Sequence, residues 1–128
     1  MEYLVDLTAV VVVKHKGREE TVFAMRRISL PFRPLEGDVI FTQWSSVKQE
    51  MTLQEVKFDL EHGRFGARVN VRNDWDEINE GYDEEDIGGD NTLEGYVLFS
   101  VEELVEDGWN SIMPTLGQAR EMRDKAKP

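Results

Sequence analysis

The sequence contains no cysteine, only two histidines and no long apolar run. Without thiols it forms no disulfide, holds no cysteine-ligated zinc or iron–sulfur centre and offers no thiol nucleophile. The longest uninterrupted apolar run, Ala9 to Val13, has the length of a strand, well short of the ~18 residues that a membrane-crossing helix needs. The opening Met1-Glu2-Tyr3-Leu4-Val5-Asp6 has neither the basic stretch nor the apolar core of an export signal, so a cytoplasmic location is expected. Bases are missing from one long stretch: Asn73 to Ala119 holds 14 Asp and Glu residues and not one Lys or Arg.

What is present suits a globular domain. The chain has 128 residues, 40% of them apolar and 32% charged, and a chain of this size buries roughly two-thirds of its extended surface on folding. One β-rich domain is expected over residues 1–113, with an acidic loop at 73–91 inside it and a helical tail at 114–128. The formal net charge of −11 comes from that one region, since residues 1–72 carry 11 bases against 10 acids. The densest part runs through Asp74, Asp76, Glu77, Glu80, Asp83, Glu84, Glu85, Asp86 and Asp90. Such a block repels phosphates and anionic lipid headgroups and attracts cations and basic protein surfaces. Direct nucleic-acid and membrane binding are therefore not expected, whereas weak cation association is compatible with the block.

Residues 3–14 are aliphatic and β-branched, with both faces apolar toward the end, which predicts a strand central in a sheet. His15-Lys16-Gly17-Arg18 reads as a turn and Glu20 to Leu30 as the returning strand. Phe23 and Met25 have the opposite parity to Ile28 and Leu30, so a β-bulge is expected at Arg26-Arg27. Pro31 and Pro34 end that strand, and Val39-Ile40-Phe41 reads as a short one. A second hairpin is expected around a two-residue His62-Gly63 turn, pairing Glu61 with Arg64. Leu60, Phe65, Phe58, Ala67, Val56 and Val69 would then share the core face, with Arg64, Arg68 and Arg72 on the polar one. Leu93 to Phe99 resembles a further strand. Ser100 and Glu103 form a capping-box pattern before a helix in which Val101, Leu104 and Val105 make the buried stripe, with Phe99 and Leu104 as a hydrophobic staple. Gly108 should end that helix in left-handed geometry, and Thr115 to Lys127 reads as a weakly amphipathic helix. The fold class expected is α+β: a curved antiparallel sheet or partly open barrel of about five strands with a short C-terminal helix.

Little of this points to catalysis. His15 and His62 both fall in expected turns, where a solvated imidazole lacks the neighbours that a nucleophilic triad requires. Asp83 to Glu94 places an acid first, glycine sixth and glutamate twelfth, as a calcium-binding EF-hand loop does. Ile87 in the fifth place and Asp90 in the eighth break the pattern, so no metal ligand is assigned. Gly88-Gly89 lacks the following Lys and Ser/Thr of a phosphate-binding loop. No cofactor is expected. Trp109 reads as core, whereas Trp75 and Tyr82 are aromatic residues inside the acidic block, a combination suited to docking on a basic surface.

The reading that results is a non-enzymatic interaction module. Its contact residues would be Asp74, Trp75, Asp76, Glu77, Glu80, Tyr82, Asp83, Glu84, Glu85, Asp86 and Asp90, and its partner a basic protein surface. An immunity-type inhibitor and a nucleic-acid mimic both fit that description. The competing readings are a small enzyme with paired carboxylates in a barrel cleft and a structural domain whose acidic loop is inert.

Overall fold

A computed structural model describes residues 2–44, 47–81 and 91–126. Ten elements follow one another: β1 (Tyr3–His15), β2 (Arg18–Leu30), β3 (Val39–Trp44), β4 (Val47–Thr52), β5 (Gln54–Asp59), β6 (Arg64–Asp74), α1 (Trp75–Ile78), α2 (Leu93–Glu106), β7 (Asn110–Met113) and α3 (Leu116–Ala126). The class is α+β, with a five-stranded open sheet in the order β5-β6-β1-β2-β7, a separate β3–β4 ribbon and a short C-terminal helix. No described helix is long and apolar enough to cross a membrane.

β1 is central, as its two-sided apolar character predicts. Its odd-numbered residues Val5, Leu7, Ala9, Val11 and Val13 are fully buried, because successive side chains alternate between faces and the odd row lies under the helices. The turn to β2 is two residues long, with His15 opposite Arg18 and positive φ at both Lys16 and Gly17. Two consecutive left-handed residues match the twist of antiparallel strands.

The β1–β2 register then runs unbroken from His15↔Arg18 to Tyr3↔Leu30, so the bulge expected at Arg26-Arg27 is not there. Val22, Ala24 and Leu30 supply the buried face of β2, while Phe23 and Met25 lie on the open face at 38% and 42% exposure. Their apolar character had suggested core where the sheet has no covering layer. A bulge occurs instead in β5, where the register shifts between Gln54 and Lys57 and Glu55 takes a φ of 51°.

The β5–β6 hairpin also differs from its expected register. Asp59 pairs with Arg64 and Phe58 with Phe65, leaving a four-residue loop from Leu60 to Gly63. The Asp59 side chain explains the longer loop, since Oδ1 accepts from the amides of Glu61 and His62 at 3.1 and 3.2 Å. The Gly63 amide closes onto the Asp59 carbonyl at 2.8 Å, a local bonding pattern that competes with a tight two-residue turn. The slip is by two residues, so parity survives on β6. Phe65, Ala67 and Val69 are buried, whereas Phe58 and Leu60 are 51% and 86% exposed. Arg64, Arg68 and Arg72 do share the opposite face, each with an acid partner: Asp6, Glu55 and Glu19 respectively. One pairing is parallel, that of β1 with β6. Residues 16–63, in which β2 runs back along β1, supply the long connection that a parallel neighbour requires.

The stretch expected as a strand at Leu93–Phe99 is the first half of α2. Leu93, Tyr96, Val97, Ser100, Val101 and Leu104 are buried, a helical spacing that outweighs the β propensity of Tyr, Val and Phe. Thr92, not Ser100, is the N-cap, accepting from the Gly95 amide at 3.0 Å. Ser100 is in mid-helix and donates to the Tyr96 carbonyl at 2.9 Å. The staple of Phe99 with Leu104 is lost with the cap, and Val105 is 41% exposed rather than buried. Gly108 does end the helix, with φ +91°. The Trp109 amide reaches the Leu104 carbonyl and the Gly108 amide that of Val105, which closes the terminus and turns Trp109 into the core at 3% exposure. α3 packs on α2 through buried Ala119, with Arg123 and Lys125 in its last turn.

Candidate functional site

The described residues on either side of the acidic segment, at the end of β6 and the start of α2, meet in one aromatic cluster. Along β6 the core-face row Phe65, Ala67, Val69, Val71 and Asn73 points on to Trp75. Asp74 caps α1, its Oδ1 accepting from the Asp76 and Glu77 amides at 3.1 and 3.3 Å. Trp75 thereby lies flat on Tyr96 of α2, with centroids 4.3 Å apart and planes 13° from parallel. Phe99 meets it edge-on at 5.5 Å. Stacked and edge-on arrangements are the ones aromatic quadrupoles favour.

Tyr96 also joins the two ends through its hydroxyl. The side-chain amide of Asn79 donates to it at 2.7 Å, and the hydroxyl in turn donates to Asn91 Oδ1 at 2.7 Å. Asn79 and Asn91, on either side of residues 80–90, therefore meet at one phenolic oxygen. α2 is held to the β1–β2 hairpin by Arg18 and Glu94, paired at 2.7 Å. That hydrogen bond keeps the Glu94 carboxyl below the usual carboxylate range.

The third support comes from the β1–β2 turn. Both oxygens of Asp76 accept from the Lys16 amide, at 3.0 and 2.9 Å, satisfying a backbone donor that the left-handed turn leaves unused. Lys14 adds an ion pair with Asp74 at 3.8 Å. His15 is buried at 6% exposure, contrary to its expected place as a solvated turn residue. Its ring meets Tyr96 edge-on at 4.9 Å. It continues the odd-numbered row Val5 to Val13, and that parity is the signal by which the sequence could have placed it.

Of the expected contact residues, Asp74, Trp75, Asp76, Glu77 and Glu80 are described, and they do not form a loop throughout: Asp74 belongs to β6 and Trp75 to Ile78 form a helical turn. Asp76, Glu77 and Glu80 are exposed, while Asp74 and Trp75 are half-buried. Tyr82, Asp83, Glu84, Glu85, Asp86 and Asp90 lie outside the described residues, as does most of the stretch compared with a calcium loop. Its twelfth residue, Glu94, is engaged by Arg18. Among the described residues no group of three potential ligands is arranged to hold a metal ion. Among the same residues the only buried polar or charged side chains are His15, Ser100 and Ser111, so no pair of buried carboxylates converges in a cleft there. His15, Asn79, Asn91 and Tyr96 escaped the sequence reading because their role depends on a contact between β1, α1 and α2. Comparison with protein-family models, with curated proteins and with solved structures returns no match.

Proposed function

We propose that the protein is an interaction module that presents its acidic segment to a basic protein surface. The observation that carries this reading is the root at Tyr96, where Asn79 and Asn91 meet on one hydroxyl. A stretch dense in like charge is costly to hold together, yet here both of its ends are fixed to the core by aromatic stacking and paired hydrogen bonds. Fixed ends lower the entropy lost when such a segment docks. The acids Glu77, Glu80, Asp83, Glu84, Glu85, Asp86 and Asp90 supply the attraction in this proposal. Asp74, Trp75 and Asp76 chiefly hold the root, with Tyr82 as the aromatic anchor. An inhibitor of a cationic protein in the cytoplasm, or a mimic of nucleic acid at a basic site, fits that description.

The test compares the intact chain with a variant in which Asp83, Glu84, Glu85 and Asp86 are replaced by their amides. The intact chain should capture basic proteins that the variant loses, and association should slow as salt rises because the attraction is screened beyond ~10 Å at ~0.1 M. Identical partners for both chains, or none for either, would show the segment to be inert.

A further inference from the structure

We propose that the open face of the five-stranded sheet is the surface through which two copies of this chain pair, face to face about a two-fold axis. Among the described residues the helices and the β3–β4 ribbon pack on the face that carries Val5, Leu7, Ala9, Val11 and Val13, and their buried side chains form one core with it. The even-numbered row of β1 points the other way. Its centre is apolar: Val10 stands opposite Phe23 of β2, and Phe23 stands opposite Met113 of β7. Val12 follows Val10 along β1, and Met25 stands opposite Thr8. Phe23, Met25 and Met113 are 38%, 42% and 61% exposed, although side chains of this kind are ordinarily drawn into a core.

The margin of this face is charged, and its charges are nearly balanced. At one end Asp6 holds Arg27 and Arg64. At the other, Glu19 takes Arg72 and Asp74 takes Lys14, while Arg68 pairs with Glu55 along the side. These ion pairs set five bases against four acids in a chain whose net charge is −11. An apolar centre within a polar rim is the anatomy of a protein interface. A strongly charged partner of either sign gains little from ions that are already paired, whereas a second copy brings the same balanced rim and the same apolar centre. Because the acidic excess lies elsewhere on the chain, this is the face on which two copies repel each other least. Shape agrees with that choice: Gly66 sets no side chain on the face, and a hollow lined by Thr8, Lys57 and Arg68 opens beside Met25. The flexible Met25 of one copy can enter the hollow of the other, and the two-fold repeats the contact. The area is sufficient as well. The three long strands over the ten residues that β1 shares with β6, with the shorter β5 and β7 beside them, make about 650 Å² of flat surface at ~4.8 Å between strands and ~3.4 Å per residue. Side chains standing on it bring the accessible area toward the ~800 Å² per partner of a stable interface of standard size.

The experiment is sedimentation velocity on the full chain alone, at concentrations up to about 0.5 mM, a range that reaches weak dimers. The natural chain should pass from monomer to a species of twice the mass, and the dimer should tighten as salt rises from ~0.05 to ~0.5 M, because salt screens the repulsion between two chains of like charge. Phe23→Lys should weaken the dimer by about tenfold or more, since it sets a charge in the apolar centre, even though it lowers the net charge that opposes pairing. Val105→Lys alters a residue of similar exposure, 41%, on α2 at the other side of the sheet, and should leave the dimer unchanged. A natural chain that stays monomeric throughout, a dimer that loosens with salt, one that survives Phe23→Lys, or one lost equally in Val105→Lys would each overturn the proposal. Should Phe23→Lys fail to fold, the natural chain decides by NMR: on dilution the amides of Thr8, Val10, Phe23 and Met25 must shift while that of Val105 holds, and any other pattern overturns the pairing of these faces. The proposal does not rest on the function proposed above. The variant with amides at 83–86 should lose basic partners and still pair with itself, so either reading can fail without the other.

Discussion

Tyr96 serves the candidate site through both its ring and its hydroxyl, and the two can be separated. Tyr96→Phe keeps the stack with Trp75 but removes the oxygen shared by Asn79 and Asn91. Leaving two half-buried amides without that partner should cost about 1–2 kcal/mol, read as a lower urea midpoint with an unchanged slope. A midpoint equal to that of the natural chain would show that the clasp adds nothing to stability. Asp6 allows a test through pH. It bonds Arg27 at 2.8 Å and also Arg64, and the Arg27 bond first, then Arg64, holds its carboxyl below the ordinary value despite some burial. A carboxyl with a lowered folded pKa contributes stability above the unfolded value, and that contribution is lost as pH falls through the folded one. Asp6→Asn should therefore cost about 1 kcal/mol or less at pH ~7 and flatten the loss of stability below pH ~4. Parallel acid profiles for the two chains would contradict this assignment. At this scale the sequence was partly legible. The core row of β1 follows from alternation, and the same alternation extended by one step reaches His15. Asn79 and Asn91 could not be read in the same way, because nothing local marks two asparagines that meet on a tyrosine from another element.

Among the elements, α2 separates local preference from tertiary demand most clearly. Thr92→Ala should lower stability by about 1 kcal/mol through the lost N-cap. Ser100→Ala should change it by less, since the Ser100 hydroxyl bonds a carbonyl within its own helix. Denaturation midpoints in the reverse order would restore Ser100 as the start of the helix. The sequence supported both assignments: Ser100 with Glu103 has the form of a capping box, and Tyr-Val-Leu-Phe has the composition of a strand. What distinguishes them is the spacing of Leu93, Tyr96, Val97, Ser100, Val101 and Leu104, which fits one helical face only if the small hydroxyl of Ser100 is counted as core. The β1–β2 hairpin was readable because Lys16-Gly17 permits the left-handed turn. The β5–β6 register was not, because Asp59 spends its side chain on the loop that follows it.

For the whole molecule, the α+β class and the central place of β1 beside β2 were legible, but β4, β7 and the parallel pairing of β1 with β6 were not. Pairing between β1 and β6 is set by which long strands can place an apolar row under α2 and the β3–β4 ribbon, and no local pattern carries that information. The clasp at Tyr96 also has a consequence for covalent continuity. Since Asn79 and Asn91, on either side of residues 80–90, are both held to the body of the protein through Tyr96, a break between them should leave the two halves associated. A protease site engineered between Glu85 and Asp86 should yield, after cleavage, two fragments that migrate as one particle under native conditions and separate only in denaturant. The C-terminal fragment would remain seated through Leu93, Tyr96, Val97, Val101, Leu104 and Trp109, all buried in the shared core. Fragments that part without denaturant would mean that the backbone, rather than the packing, had been holding the two halves together. If they stay together, the chain behaves as a two-piece complementation pair, whose halves could be produced separately and reassembled by mixing.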